Sequence, residues 1–350
     1  MKRKSFKLIV SMIIMVAASC DEPVTVVTNY VHRDGSVTRK IEMRNKEDKF
    51  KLSTLQVPFD STWIVKDFIE ISVKGDTTWI KCAEKLFKNV DEINLTYKND
   101  LGANKGISRK AGFQKRFKWF NTQYRFSETI DKKLDFGYPL TKFLNEEELF
   151  YFYSPENVRD AMQFSQDSLK YKALNDSVSN KVETWAIKNL VSGWIDEFSK
   201  LAQEKDGSHP LLDTLKSRED ELAGLLNLND EKFDSLWENG IILKEYLGEA
   251  DYKKFKSEAD TAAVNVAEQF WVNFSGYSVR ISMPGKVIGS NGFIDSSKVL
   301  LWPVKSDYFL TQPYVMWAES RIPNRWAWIV SGLLSLFVIS SMIIKLKKKG

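Results

Sequence analysis

Histidine and cysteine, two of the residue types that most often bind zinc, are scarce in this sequence. The 350 residues include two histidines, His32 and His209, and two cysteines, Cys20 and Cys82. No pair of them has the short spacing of a zinc site, and each histidine falls in a predicted surface turn. Cys82 ends an apolar stretch, where a buried thiol is usually an inert core residue. We therefore predict neither a metal ion nor a cofactor.

Sequence motifs of catalysis are missing as well. The chain has no Gly-x-Ser-x-Gly nucleophile motif and no glycine-rich phosphate loop. Gly285, Gly289 and Gly292 recur at short intervals, but turn geometry explains them because they lie in a strand-turn-strand region. The acidic run Glu146–Glu148 could supply paired acids for sugar cleavage, yet a solvated helix face accounts for it better. We expect no enzymatic activity, and a carboxylate-dependent envelope hydrolase is the alternative.

Positive charge is concentrated at the two ends of the chain. The formal net charge is +5 at pH 7. Four basic residues precede residue 8, four lysines follow residue 344, and neither terminal segment contains an acid. Removing these eight charges from +5 leaves −3 for the part between them. A basic surface for nucleic acid is therefore not supported, and we predict no nucleic-acid partner.

The N-terminal segment, residues 1–19, has the layout of a secretory signal peptide. A basic start precedes an apolar run, Leu8–Val16, and small residues stand directly before Cys20. The apolar run is too short to span a bilayer as a helix. The stretch resembles a lipobox, at which a bacterial lipoprotein is lipidated on cysteine and cut just before it. The resemblance implies a lipid anchor on Cys20, and an ordinary signal peptide is the alternative.

A long uncharged run lies near the other end. Residues 326–344 contain no charge and are long enough to cross a hydrocarbon core of ~30 Å as a helix. Trp326 and Trp328 stand where interfacial aromatics are expected, and a lysine tail, residues 345–350, follows. The pattern predicts a transmembrane helix with a cytoplasmic tail, so that the bulk of the chain faces the periplasm from the cytoplasmic membrane. A core helix at the chain end is the alternative.

The chain between the two anchors predicts an α+β fold. Strand patterns occupy residues 20–135 and 276–321, whereas helical periodicity dominates residues 136–275. The short strands after residue 276 would hardly form a stable sheet alone. We therefore predict one antiparallel β sandwich or barrel-like domain that is built from both strand regions and carries a helical insertion. Two side-by-side domains are the alternative.

Local patterns predict particular turns and strands. Asp34-Gly35 between β-branched runs predicts a hairpin, and Asn291-Gly292 predicts a second one. We predict a strand at Ile93–Tyr97. Residues 115–129 have no cleanly polar face and predict a strand buried on both sides, whose aromatics form sheet core or line a ligand groove. The segment Ile322–Arg325 is predicted to link the last strand to the apolar run.

Residues 279–320 carry a Pro-Gly turn, an Asn-Gly turn and a strand that ends in tryptophan, ahead of a final strand and the apolar run. This arrangement resembles the C-terminal part of the LppM-type envelope lipoproteins. The matching residues are Pro284, Gly285, Asn291, Gly292 and Trp302. The resemblance implies an extracytoplasmic β domain that binds lipid or glycolipid without catalysis.

A recurring triplet of Asp, then Ser or Thr, then a further residue is similar to the O-glycosylation acceptor of some bacterial envelope proteins. Its candidate acceptors are Ser61, Thr77, Ser168, Ser177, Thr214, Ser235 and Thr261. Helix capping and turns explain the same pattern, because Asp and Ser/Thr are frequent there. Both interpretations stay open.

The double anchor and the absence of a catalytic motif together favour a non-enzymatic function. We predict a membrane-anchored lipoprotein that serves as a binding or scaffold module for envelope lipids, glycans or proteins. The sequence does not choose among these three partners.

Overall fold

The computed structural model describes residues 23–50, 55–57, 59–135, 137–163, 168–207, 211–225, 240–270, 274–294 and 299–347. These residues form two compact units. The β unit comprises residues 23–130, 277–302 and 315–347, and the helical unit comprises residues 131–276 and 303–314. The signal segment, Cys20, His209 and the end of the lysine tail lie outside the described residues.

The described strands form two sheets. They are β1 (Val24–Val31), β2 (Val37–Asn45), β3 (Ile64–Ile71), β4 (Thr77–Phe87), β5 (Arg109–Lys118), β6 (Asn121–Ile130), β7 (Tyr277–Ser282), β8 (Lys286–Ser290), β9 (Phe293–Ile294), β10 (Leu300–Val304) and β11 (Tyr314–Pro323). The seven-stranded sheet has the order β3-β4-β2-β1-β7-β10-β9, and the four-stranded sheet has the order β5-β6-β11-β8.

β1 joins the two ends of the chain in one sheet. It forms the predicted hairpin with β2, in which Gly35 has a φ of 96°. On its other side β1 pairs with β7 in parallel, so the prediction of a purely antiparallel domain is wrong. A parallel neighbour requires a long crossover connection, whereas an antiparallel one can be joined by a tight turn. The helices between β6 and β7 lie in that long connection.

Residues 115–129 belong to a hairpin, so the prediction of one doubly buried strand is wrong. β5 pairs with β6 along its whole length, and Trp119 and Phe120 form the turn. Every second residue of β6 is buried, which gives this strand one core face. No polar face was visible in the sequence because the residues near the turn of the hairpin include exposed aromatics, which interrupt the alternation of polar and apolar residues.

The strand predicted at Ile93–Tyr97 is also wrong. These residues lie in helix α1 (Val90–Lys98), which buries Ile93 and Tyr97 on one face. The side chain of Asn89 caps the helix by accepting hydrogen bonds from two backbone amides of the first turn. An asparagine cap followed by acidic residues stabilises a helix start, and here it outweighs the β propensity of the apolar residues.

Asn291-Gly292 does not form the predicted hairpin. β8 pairs with β11 in the four-stranded sheet, and β9 pairs with β10 in the seven-stranded sheet. The chain therefore changes sheets at this dipeptide. Gly292 is required there because a Cβ atom would lie 2.4 Å from the ring of Trp302. A shortage of space, rather than the geometry of a hairpin turn, explains this glycine.

The helical unit contains six described helices. They are α2 (Glu146–Tyr153), α3 (Glu156–Gln163), α4 (Ser168–Asp206), α5 (Leu211–Ser217), α6 (Glu219–Leu225) and α7 (Ile241–Phe270). A stripe along α4 forms the core with α7: Trp194 stacks on Phe198, and its indole donates to the carbonyl of Ala259 at 3.1 Å. Residues 226–239, which belong to the predicted helical insertion, lie outside the described residues.

The last described element is helix α8 (Arg325–Lys347). It follows β11 after Asn324 alone, so the linker predicted at Ile322–Arg325 is wrong: Ile322 and Pro323 end the strand. Residues 325–346 are long and apolar enough to cross a membrane; an 18-residue stretch within them has a mean hydropathy of 2.2, and 6% of that stretch is buried. The predicted α+β class, with two sheets and one apolar C-terminal helix, is confirmed.

Candidate functional site

The residues that could have carried chemistry are held in structural contacts. His32 contacts the hydroxyl of Thr38 beside the β1–β2 turn, at 2.9 Å from Nε2 to Oγ1. Cys82 is half-buried on β4, and burial raises the pKa of its thiol. A raised pKa disfavours the thiolate, which is the reactive form. Within the described residues, no group of three or more histidine, cysteine or acidic side chains could hold a metal ion.

Glu148 is the buried member of the acidic run at the start of α2. It completes a capping box with Asn145 and accepts hydrogen bonds from Lys181 and Ser177, at 2.6 and 2.8 Å. The hydrogen bond from Lys181 is the main reason why the pKa of Glu148 is lowered. A general acid for sugar cleavage needs a raised pKa, so this geometry favours a structural role.

The interior of the β unit contains an ionic network that sequence reasoning missed. Arg39 on β2 pairs with Glu128 on β6, and both side chains are almost fully buried. Tyr97 donates to Glu128 at 2.9 Å, and Asn29 donates to the other carboxylate oxygen at 2.9 Å. Arg39 also donates to Asn29 and Tyr97. The network joins the two sheets and α1.

The same network has the electrostatics of a structural site. Burial raises the pKa of Tyr97. Burial alone would lower the pKa of Arg39, but the charge of Glu128 raises it overall. Buried charges that are paired and fully hydrogen-bonded specify one packing arrangement. One sequence pattern could have indicated that Arg39 is buried. Arg39 alternates in step with Val37, Ile41 and Met43 along β2, so it falls on the same, buried face of the strand.

The most exposed part of the β unit is strand β3. All eight of its residues are exposed, including Ile64 at 67%, Phe68 at 49% and Ile69 at 54%. β3 is an end strand of the seven-stranded sheet as described and pairs on one side with β4. Such an edge normally carries charges that discourage pairing with another chain. Here Asp67 is bound by Lys81, at 2.6 Å, and Glu70 is bound by Arg44, at 2.8 Å, while Lys66 is exposed.

A groove of about 470 Å³ runs beside this edge. It is lined by Asp48, Phe50, Asp67, Phe68, Ile69, Trp79 and Ile80. With Asp67 paired to Lys81, the contact surface of the groove consists of Asp48 and the aromatic and aliphatic side chains. We refer to β3 and this groove as the β3 edge. Sequence reasoning recognised strands here but did not predict that both faces of β3 are exposed.

The residues that carry the resemblance to LppM-type lipoproteins lie where the chain passes from one sheet to the other. The side-chain oxygen of Asn291 accepts from the indole of Trp302 at 3.0 Å and from the backbone amide of Trp317 at 2.9 Å. Pro284 accepts a hydrogen bond from Ser320 at 2.7 Å, and Gly285 has a φ of 83°. A Cβ atom at Gly285 would also lie 2.6 Å from the carbonyl oxygen of Arg321. These residues therefore stabilise the fold locally.

The predicted interfacial tryptophans lie at the start of α8. Trp326 is 50% exposed and Trp328 is 59% exposed. Both contact aromatic residues at the tip of the β5–β6 hairpin. No sequence pattern predicts a hydrogen bond between residues about 200 positions apart, such as Thr122 and Asn324.

The candidate O-glycosylation acceptors differ in accessibility. Ser61, Thr77, Thr214 and Thr261 are exposed, whereas Ser177 is half-buried and donates to Glu148. Ser235 and the side chain of Ser168 lie outside the described residues. Glycosylation stays a prediction for the exposed acceptors, and the contact of Ser177 with Glu148 favours the structural interpretation at that position.

Comparison with models of known protein families, with curated proteins and with solved structures finds no match. Site geometry is therefore the basis for assigning a function.

Proposed function

We propose that this chain is a membrane-anchored, non-enzymatic binding module whose exported part binds an extended protein segment along the β3 edge. The single observation that carries the proposal is a strand with every residue exposed and a groove beside it. The helix α8 supplies the membrane anchor, and the signal-like segment that ends at Cys20 supplies a lipid anchor. The lysine tail then lies in the cytoplasm.

A protein segment suits the β3 edge better than a lipid or a glycan. An end strand offers a row of backbone donors and acceptors, and an added strand satisfies these groups while its side chains enter neighbouring grooves. Lipid chains offer no hydrogen bonds and would leave the same backbone groups unpaired. The resemblance to LppM-type lipoproteins, which implies lipid or glycolipid binding, stays a prediction.

Membrane attachment supports the same proposal, because it restricts which molecules the exposed β3 edge can meet. A strand edge that exposes several apolar side chains to water favours uncontrolled pairing with other chains. A chain that is held at a membrane surface meets its partner in two dimensions and at high local concentration. The sandwich-like packing of the two sheets and the crossing of the membrane by α8 are part of the proposal.

Site-specific photo-crosslinking in cells tests the proposal. A photoreactive amino acid replaces Phe68 on β3, and a matched control replaces Leu95, which is 58% exposed on α1 in the same unit. We expect Phe68 to form an adduct with one protein, mapped by mass spectrometry to an extended segment. The adduct should disappear when Ile69→Lys is added, and Leu95 should not form it. Adducts that contain only lipid or glycan, or no adduct at all, would overturn the proposal.

The hydrolase alternative predicts a different outcome. A pair of acids that act on a sugar must share a cleft, and one of them needs a raised pKa. The two acids that line the groove are Asp48 and Asp67, and the second is bound by Lys81. If the groove were catalytic, Asp67→Asn would abolish cleavage of envelope glycans and leave the crosslink at Phe68 unchanged.

A further inference from the structure

The tip of the β5–β6 hairpin packs against the start of the apolar helix α8. Phe117 stacks on Trp326 with ring centroids 6.3 Å apart, and Trp119 meets the same ring edge-on at 5.2 Å. Phe120 contacts Trp328 at 4.4 Å. We call these five side chains the aromatic collar. The collar ties the hairpin to the helix that the proposed function places in the membrane.

The collar is too exposed to be explained by packing alone. Phe117 is 61% exposed, Trp119 is 46% exposed and Phe120 is 40% exposed. The apolar side chains of α8 are exposed as well, and only 6% of its most apolar stretch is buried. One contiguous apolar surface therefore covers the hairpin tip and the helix. Contiguous exposed apolar surfaces mark contact with a membrane or with another molecule.

Helix geometry places the aromatic side chains of the hairpin tip at the depth of the lipid chains. If Lys345 marks the cytoplasmic boundary, a hydrocarbon core of ~30 Å at ~1.5 Å per residue ends near Arg325. Ser331 then lies about 9 Å inside the core. The indole nitrogen of Trp119 donates to the hydroxyl of Ser331 at 2.9 Å. The indole of Trp119 therefore reaches the depth of Ser331, whereas the backbone of the turn lies level with Asn324, at the outer boundary of the core.

Polar groups at the tip have the internal partners that a lipid environment demands. The side-chain nitrogen of Asn324 donates to the carbonyls of Lys118 and Trp119, at 2.8 and 3.2 Å. The backbone amide of Asn324 donates to the carbonyl of Phe120 at 2.9 Å. Unpaired backbone groups in hydrocarbon cost several kcal/mol each, and these bonds remove that cost for three carbonyls of the turn.

Basic residues flank the collar on the side away from the lysine tail. Lys115, Arg116 and Lys118 are exposed on β5, and Arg321 and Arg325 are exposed beside the start of α8. Residues 114–123 and 320–344 contain no acid. The positive-inside rule favours basic residues on the cytoplasmic side of a membrane helix. It therefore does not explain why five basic residues lie at the opposite end of α8. Phosphate groups of the lipid surface provide one, because lysine and arginine bind them directly.

We propose that the hairpin tip is immersed in the outer leaflet of the bilayer that α8 crosses, with Lys115, Arg116 and Lys118 on the lipid phosphates. The inference rests on the membrane span in the proposed function. It adds a second point of attachment for the β unit, which orients that unit relative to the membrane surface.

Fluorescence quenching in reconstituted vesicles tests the immersion. The full chain, with Cys20 and Cys82 replaced by serine, carries one cysteine that is labelled with a polarity-sensitive fluorophore. The label sites are Phe120→Cys at the tip, Leu333→Cys within α8 and Val73→Cys beside β3, where the side chain is fully exposed. Quenching is measured with nitroxide groups high on the lipid chains and with iodide in the water.

We expect the labels at positions 120 and 333 to be quenched by lipid nitroxides and protected several-fold from iodide relative to position 73. A label at position 120 that iodide quenches as strongly as at position 73, while position 333 stays protected, would overturn the inference and leave the membrane span intact. If position 333 were also open to iodide, the span itself would be wrong.

The basic residues have their own test in the same vesicles. Adding an anionic phospholipid, phosphatidylglycerol, to phosphatidylcholine should increase protection of the label at position 120. The combined variant Lys115→Gln, Arg116→Gln, Lys118→Gln should lose that increase, whereas a control with Lys66→Gln on β3 should keep it. An increase that persists in the triple variant would overturn the assignment of the phosphate contacts.

Discussion

The β unit presents two apolar surfaces, and they differ in whether their backbone hydrogen-bonding groups already have partners. At the β3 edge, side chains are exposed on both faces and one side of the strand lacks a neighbouring strand among the described residues. At the hairpin tip, the carbonyls of the turn are already bonded to Asn324. Exposed apolar area alone therefore does not define a partner. Available backbone hydrogen bonds favour another strand, whereas satisfied ones permit lipid.

Both surfaces are supported by the same buried ionic network, which connects the two sheets. Asn29 and Arg39 belong to the seven-stranded sheet, which includes β3, and Glu128 belongs to the four-stranded sheet, which includes the hairpin. Because the network is buried, it can align the two sheets without contributing to either surface. This arrangement provides a way to separate the effects of the scaffold from the effects of each surface.

The largest effect is expected for Glu128→Gln. It leaves the buried Arg39 without its counter-charge, which should destabilise the β unit by about 3–5 kcal/mol. Hydrogen exchange should show a matching loss of protection in β1, β2 and β6 together. Glu84→Gln, at an exposed position of β4, is the control and should change little. Normal protection in β2 with loss in β6 alone would show that the sheets are independent.

A smaller effect is expected for Asn324→Ala, which acts on the hairpin surface only. The carbonyls of Lys118 and Trp119 lose their hydrogen-bond donor. Each carbonyl that stays unsatisfied should lower the stability of the hairpin tip by about 1–3 kcal/mol. Hydrogen exchange at the hairpin tip should rise while β2 and β3 stay unchanged. Asn45→Ala, an asparagine near the end of β2, serves as the matched control. Equal loosening at β3 would contradict the separation of the two surfaces.

Trp119→Phe should have a modest effect, because it keeps an aromatic ring and removes the hydrogen bond to Ser331. We expect ~0.5–1.5 kcal/mol of lost attachment between hairpin and helix. A double-mutant cycle with Ser331→Ala measures this coupling directly, with iodide access at position 120 as the readout. Strict additivity of the two variants would mean that the contact contributes nothing.

The smallest change in stability is expected for Ile69→Lys at the β3 edge. Because Ile69 is 54% exposed, the variant should alter the free energy of unfolding by no more than ~0.5 kcal/mol, yet it should remove the crosslink formed at Phe68. Ile80→Lys provides the contrast, since Ile80 is 5% exposed and a buried lysine is strongly destabilising. A crosslink that survives Ile69→Lys would reject the edge as the binding surface.

Local signals predicted much of the chain correctly, and the errors have a common origin. The β1–β2 turn, the helical periodicity of residues 136–275 and the apolar run in α8 depend on residues close in sequence, so periodicity and turn residues were sufficient. Asn291-Gly292 has the composition of a hairpin turn, but the ring of Trp302 and the pairing of β8 with β11 decide its structure. Those partners are distant in sequence.

The two candidate surfaces could not have been predicted in full for the same reason. Ile64, Phe68 and Ile69 look like core residues of a strand, and only the order of strands in the sheet shows that they lie at an edge. The aromatic residues of the hairpin likewise look like sheet core until their contacts with Trp326 and Trp328 are known. An apolar side chain indicates burial in general, but it does not specify what buries it.

By itself the sequence determined the α+β class, the helical character of residues 136–275, the β1–β2 hairpin and the apolar segment at the C-terminus, because these follow from composition and short-range periodicity. The tertiary structure alone decided the parallel pairing of β1 with β7, the ionic network around Arg39, the exposure of β3 and the attachment of the hairpin tip to α8. The physical reason is that hydrogen-bond partners and solvent access depend on which distant segments meet.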